Sequence, residues 1–171
     1  MRFVFTGHIA IVLVFIAGAG GYQYSEWLKV VQPDFPAEWL IALVIGFLVA
    51  LSRPVTLLKE PDQVYLLPLE SQMPSYFKKA MNWTFWSQLL LPVVLYIITI
   101  PLLKEVTTLS VAEIWLTALF IAVLKFINVR AEFNYRYANR GNAVLMDRFV
   151  RAIVSIIGIQ MTLADGLIGV V

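Results

Sequence analysis

Five long apolar runs, separated by the only stretches rich in charge, constrain this chain more than any other feature. A bilayer core of about 30 Å takes roughly 20 apolar residues per helix. On that measure the spans run over Phe3–Tyr24, Ala37–Ser52, Phe85–Leu103, Val111–Val129 and Phe149–Val171, the second being the shortest. Composition agrees. Of 171 residues, 60% are hydrophobic and 14% charged, with a mean hydropathy of +0.81, which is more apolar side chain than a soluble core of this size can hide. The expected fold is an all-α, polytopic transmembrane helical bundle in the cell membrane, forming a single domain.

Local signals mark the helix starts. Pro36 suits a first helical turn, with Glu38 beside the positive helix end, and Ser110-Val-Ala-Glu113 is a capping box opening the fourth span. Pro92 inside the third span removes one backbone hydrogen bond and predicts a kink. Trp39, Trp115, Tyr22 and Tyr24 fall near span ends, where amphipathic rings prefer the interface. The first run, although N-terminal, is too long for a signal peptide and is read as a retained helix.

Orientation follows from basic residues in short loops. Of thirteen Lys and Arg, Lys29 and Lys104 alone fall in the loops after the first and third spans, and the other eleven lie on the opposite side. The N-terminus and the two longer connections, residues 53–84 and 130–148, are therefore expected in the cytosol. The fifth run ends without a flanking charge, so the chain reads as the truncated part of a longer protein.

The same inventory excludes several kinds of chemistry. There is no Cys and one His, so thiolate and imidazole metal sites are not expected, and neither is any cofactor. Phosphate-loop, nucleophile-elbow and zinc-protease motifs are absent from the sequence, so no catalytic residue is assigned. A net charge of +2 with dispersed basic residues does not make a nucleic-acid footprint. His8 reads as a polar anchor near an interface. Gln88, Gln160 and Asp165 are the polar residues singled out within spans: each is a weak candidate for a substrate path, against interhelical hydrogen bonding for the two glutamines and an interfacial position for Asp165. Gly18, Ala19, Gly20 and Gly21 form a small-residue stretch that permits close helix approach.

The first connection is too apolar for a solvated linker. Val64, Tyr65, Leu66, Leu67, Leu69, Tyr76 and Phe77 need cover from a partner's groove, the membrane surface or the chain itself. Pro61, Pro68 and Pro74 divide it into short pieces. The second connection, basic and aromatic from Arg130 through Arg136 to Arg148, suits anionic-lipid contact and continuation of the fourth helix below the membrane.

Lys59 to Glu70, centred on Leu66-Leu67-Pro68-Leu69-Glu70, resembles the EcsB family of bacterial ABC transporter permeases, as do Tyr76-Phe77 and the entry from Trp83 to Pro92. Phe5-x-x-His8 and Gly20-Gly21-Tyr22-x-Tyr24-Ser25 are similar too. The resemblance implies a membrane-spanning permease subunit without enzymatic activity of its own, coupled to a separate ATPase subunit of the EcsA kind and exporting peptides or related amphipathic substrates. It also implies an ATPase-docking element: Tyr65, Leu66, Leu67 and Leu69 as the apolar plug, with Asp62 and Glu70 as polar registers. Membrane lipid is the other implied partner, and a second permease copy stays open. The alternative is a non-transporting scaffold that modulates an intramembrane protease or secretion machinery.

Overall fold

The computed structural model describes residues 2–32, 34–56, 73–138 and 142–164, and their side chains except at 2–8, 10, 135–138 and 142. All regular structure among the described residues is helical: α1 (Arg2–Leu28), α2 (Ala37–Ala50), α3 (Met73–Val106), α4 (Val111–Ala138) and α5 (Asn142–Ala164). Met73–Val106 and Val111–Asn134 are long and apolar enough to cross a membrane, and Ala37–Ala50 is a shorter apolar helix.

Apolar and polar side chains are distributed the opposite way from a water-soluble protein. Phe15, Leu90, Trp115, Leu119 and Phe149 are more than half exposed, whereas Thr84, Thr117, Lys125, Asn128, Glu132 and Ser155 are buried. Lipid removes the hydrophobic penalty on the outside, while polar groups must find partners on the inside.

The short helix α2 is the centre of the bundle, packed on α5 most extensively and also on α3 and α4. Its Ala37, Ile41, Ala42, Ile45 and Val49 meet Tyr96, Leu102 and Leu103 of α3, Ile114 and Ile121 of α4, and Ile159 and Leu163 of α5. Small residues make this approach possible. A Cβ built on Gly46 would lie 2.7 Å from Ile156 Cγ1 and 2.8 Å from Ile156 Cα, so only glycine admits α5 at this distance. The stretch at Gly18, Gly20 and Gly21, by contrast, has nothing within 4 Å. The close approach expected there occurs at Gly46. Helix α1 touches the bundle chiefly through α3, where Tyr24 donates its hydroxyl to the Ile98 carbonyl at 3.0 Å.

Helix ends follow the local signals. Ser110 and Glu113 form the expected reciprocal cap: Ser110 N–H donates to Glu113 Oε2 at 2.7 Å and Glu113 N–H to Ser110 Oγ at 3.3 Å. Pro36 sits just before α2 rather than in its first turn, its carbonyl accepting from Leu40 N–H at 3.2 Å, and Glu38 lies in that turn. Helix α3 continues through both Pro92 and Pro101.

One element boundary differs from the sequence expectation, and another follows it. Helix α3 starts at Met73, so the last third of the first connection is helix; at 34 residues α3 is roughly 51 Å long, well beyond a bilayer core. Tyr76 and Phe77 pack there with Ala80, Val129 and Phe133, so the chain itself covers these two side chains. The second connection is largely helix, as expected for α4, which continues to Ala138, while α5 begins at Asn142, a little before the expected Phe149. At 14 residues, α2 is roughly 21 Å long, and Leu51–Thr56 extends it as non-helical chain.

Candidate functional site

The buried face of α4 changes character along its length. Ile114, Thr117, Ile121, Lys125, Asn128 and Glu132 recur every three or four residues and are all buried, which is one helical stripe. Its first half is apolar or nearly so. Its second half carries a cation, an amide and a carboxylate, and each meets the end of another element.

Lys125, 1% exposed, reaches the C-terminus of α2. The last carbonyls of a helix have no intrahelical donor. In α2 the Leu51 N–H bonds the Phe47 carbonyl at 2.9 Å, and the carbonyls that follow are left over. The Lys125 ammonium donates to three of them, at Leu48 (3.2 Å), Val49 (3.3 Å) and Leu51 (2.8 Å). A cation at the negative end of the helix dipole is favourable, and its three protons match three acceptors. This arrangement lets α2 stop inside the protein without leaving orphaned carbonyls in lipid.

The chain leaving α2 is pinned to α3 immediately afterwards. Gln88 Nε2 donates to the Arg53 carbonyl at 2.5 Å, with a longer return contact from Arg53 N–H to Gln88 Oε1 at 3.4 Å. Thr84 Oγ1 accepts from Val55 N–H at 3.0 Å while donating to the Ala80 carbonyl at 2.7 Å. The stem of the first connection thus lies along one turn of α3.

The other polar residues join α4 to α5. Asn128 Nδ2 donates to the Leu124 carbonyl at 3.0 Å and to Ser155 Oγ at 3.2 Å. Glu132, 2% exposed, accepts from both Arg148 and Arg151, the latter at 2.6 Å. Arg151 also bonds Asp147 and donates from Nη1 to the Asn128 carbonyl at 3.0 Å. Two arginines and two carboxylates compensate one another, which a buried charge requires.

Of the residues singled out from the sequence, Gln88 binds the connection's backbone and belongs to this layer. Gln160 is buried on α5, its Oε1 without a partner among the described residues. Asp165 and the stretch Asp62, Tyr65, Leu66, Leu67, Leu69 and Glu70 lie outside the described residues, and so does the side chain of His8. From the sequence, Lys125 and Arg151 were counted only as charges that orient the protein, Arg148 also as part of a basic stretch suited to anionic lipid, and Glu132 was not singled out. The signal for the first was present: Lys125 lies within the apolar window Val111–Val129, on the same stripe as Ile114 and Ile121.

A largely apolar exterior, two helices able to cross a bilayer and an interior that buries Lys125 and Glu132 among polar partners define an all-helical membrane protein. The chain belongs to the EcsB family, described as bacterial ABC transporter protein EcsB, which matches it over residues 1–171. Protein EcsB of Bacillus subtilis (strain 168) is 32% identical over 153 residues, covering 88% of this chain and 37% of that relative. The chain therefore spans little more than a third of the length of the relative. No solved structure matches it.

Proposed function

We propose that the chain is part of the membrane-spanning permease subunit of an ABC transporter, with five spans, a cytosolic N-terminus and ATP hydrolysis on a separate EcsA-like subunit. Peptides or related amphipathic molecules are the proposed substrates, moved outward. The docking element is the stretch Asp62–Glu70, with Leu66, Leu67 and Leu69 filling a groove on the ATPase.

The observation that supports this reading most is the anchoring of the connection's stem. A loop that only joins two helices needs no fixed attachment, whereas a loop that receives force does. Here Arg53 and Val55 are held by Gln88 and Thr84, and the end of α2 is held by the buried ammonium of Lys125. Movement of a docked partner would reach α2, α3 and α4 together, which is how closure of an ATPase dimer becomes a change in a helix bundle.

Coexpression and pull-down of the ATPase, in the full-length protein at matched membrane levels, tests the assignment. Leu67→Asp places an uncompensated charge in the proposed groove and is expected to abolish complex formation. Glu70→Lys, at its rim, should weaken it less. Arg136→Ala should change little. Wild-type binding by Leu67→Asp together with loss in Arg136→Ala would move docking to the second connection. Recovery of an intramembrane protease in place of a nucleotide-binding subunit would support the scaffold reading.

A further inference from the structure

A groove of about 210 Å³ separates the end of α2 from the first turns of α5. Phe47, Ala50 and Leu51 form one wall and Phe149 and Ala152 the other, with Arg148 contributing the cation. Phe47 and Phe149 are 52% and 67% exposed, so the groove opens sideways to the surroundings of the bundle instead of into its core.

Hydrogen bonds fix the level of this groove along the bundle. Lys125 is level with Leu51, and Thr84 and Gln88 are level with Val55 and Arg53. The exposed Trp83 and Trp86 of α3 flank Thr84 and therefore mark the same level. Glu132, which holds Arg148, lies seven residues beyond Lys125 on α4, roughly 10 Å farther out. Exposed tryptophans sit at the boundary between acyl chains and headgroups. The apolar walls are thus at acyl-chain depth and the arginine at headgroup depth. From Trp83 to Lys104 at the other end of α3 is roughly 31 Å, the thickness of a bilayer core.

The charges favour an anion. Arg148 directs Nε and Nη2 to Glu132, while Nη1 has no bonding partner among the described residues, and its side chain is 33% exposed. Arg148 and Arg151 are matched in number by Glu132 and Asp147, so the Nη1 edge of Arg148 is what the cluster leaves to face an anion. An apolar slot with a partly committed guanidinium at its outer end is complementary to a lipid that carries a negative phosphate above an acyl chain.

We infer that the groove between α2 and α5 is a binding site for one anionic phospholipid, with an acyl chain between Phe47 and Phe149 and the phosphate on Arg148. The site stands on the helix packing and is independent of the ATPase-docking reading. Because its two walls are the end of α2 and the start of α5, occupancy would hold these elements together beside the stem of the first connection.

The full-length protein, purified in detergent, is titrated with phosphatidylglycerol and with phosphatidylcholine, and retained lipid is read by native mass spectrometry alongside Tm. Phosphatidylglycerol should be retained and raise Tm, with phosphatidylcholine binding about fivefold or more weaker. Ala152→Trp fills the groove without touching the ion pairs and should remove the preference. If that variant does not fold, Phe149→Ala takes away one exposed wall and should reduce retention by about fivefold through lost van der Waals packing against the acyl chain. Arg148→Gln should bind both lipids alike. Equal retention of the two lipids by the wild type, unchanged phosphatidylglycerol retention in Ala152→Trp or Phe149→Ala, or an equal rise in Tm from inorganic phosphate alone would each overturn the lipid assignment.

Discussion

Single charged residues carry the consequences that a hydropathy profile hides. The Lys125 side chain is surrounded by protein and bonded to the Leu48, Val49 and Leu51 carbonyls. Lys125→Met keeps the length of the side chain and removes the donor, leaving the buried Val49 carbonyl and the part-buried Leu48 and Leu51 carbonyls without it. Each buried acceptor left alone costs about 1–3 kcal/mol, partly offset because no ammonium needs to be desolvated. A loss of Tm in detergent is expected, whereas Arg130→Gln, at an exposed position on the same helix, should leave Tm nearly unchanged. Glu132→Ala removes the carboxylate that both Arg148 and Arg151 share. Breaking a buried pair from one side costs about 3–5 kcal/mol, so this variant should be the more damaging of the two. An unchanged Tm in Glu132→Ala would show that water, not protein, solvates the cluster.

At the scale of the elements, the contact between α2 and α5 sets the geometry of the whole layer. It brings Gly46 against Ile156, leaves Phe47 facing the first turns of α5 across the groove, and sets the α2 terminus where Lys125 can reach it. Gly46→Ala inserts a Cβ against the Ile156 backbone, 2.8 Å from Cα and 2.9 Å from N, and backbone cannot give way as a flexible side chain can. Overpacking of this kind costs about 1–3 kcal/mol. Gly158→Ala meets only the Phe120 ring at 3.4 Å, and Gly20→Ala meets nothing within 4 Å. Thermal unfolding should rank them with Gly46→Ala lowest and Gly20→Ala nearest the wild type. Equal Tm values for the Gly46 and Gly20 variants would refute the tight α2–α5 contact.

For the molecule as a whole, orientation is the open quantity that the helix packing and the charge distribution address together. Reporter fusions after Gln32 and after Thr107 are expected to read external, and fusions near Gln72 and Asn139 internal. The basic residues behind this expectation are not all alike: Lys125 and Arg151 are consumed by buried partners, while Arg53 and Arg130 are exposed. An internal signal at Thr107 would require a different set of spans. At 14 residues, roughly 21 Å, α2 crosses a bilayer only with the help of the chain around it.

What the sequence determined by itself is whatever depends on neighbours a few residues apart. The apolar runs, the Ser110–Glu113 cap and the extension of α4 toward Ala138 are of this kind, because helix formation and capping are local. The family resemblance was legible too, in short motifs. Tertiary structure decided the rest. Lys125 meets Leu51 across 74 residues, Gln88 meets Arg53 across 35 and Arg151 meets Glu132 across 19. Helices that are apolar nearly all round show no periodicity that says which face is buried, so their partners cannot be read from pattern. Only once α2, α4 and α5 are packed does a lysine that looks like a topology signal become the cap of another helix.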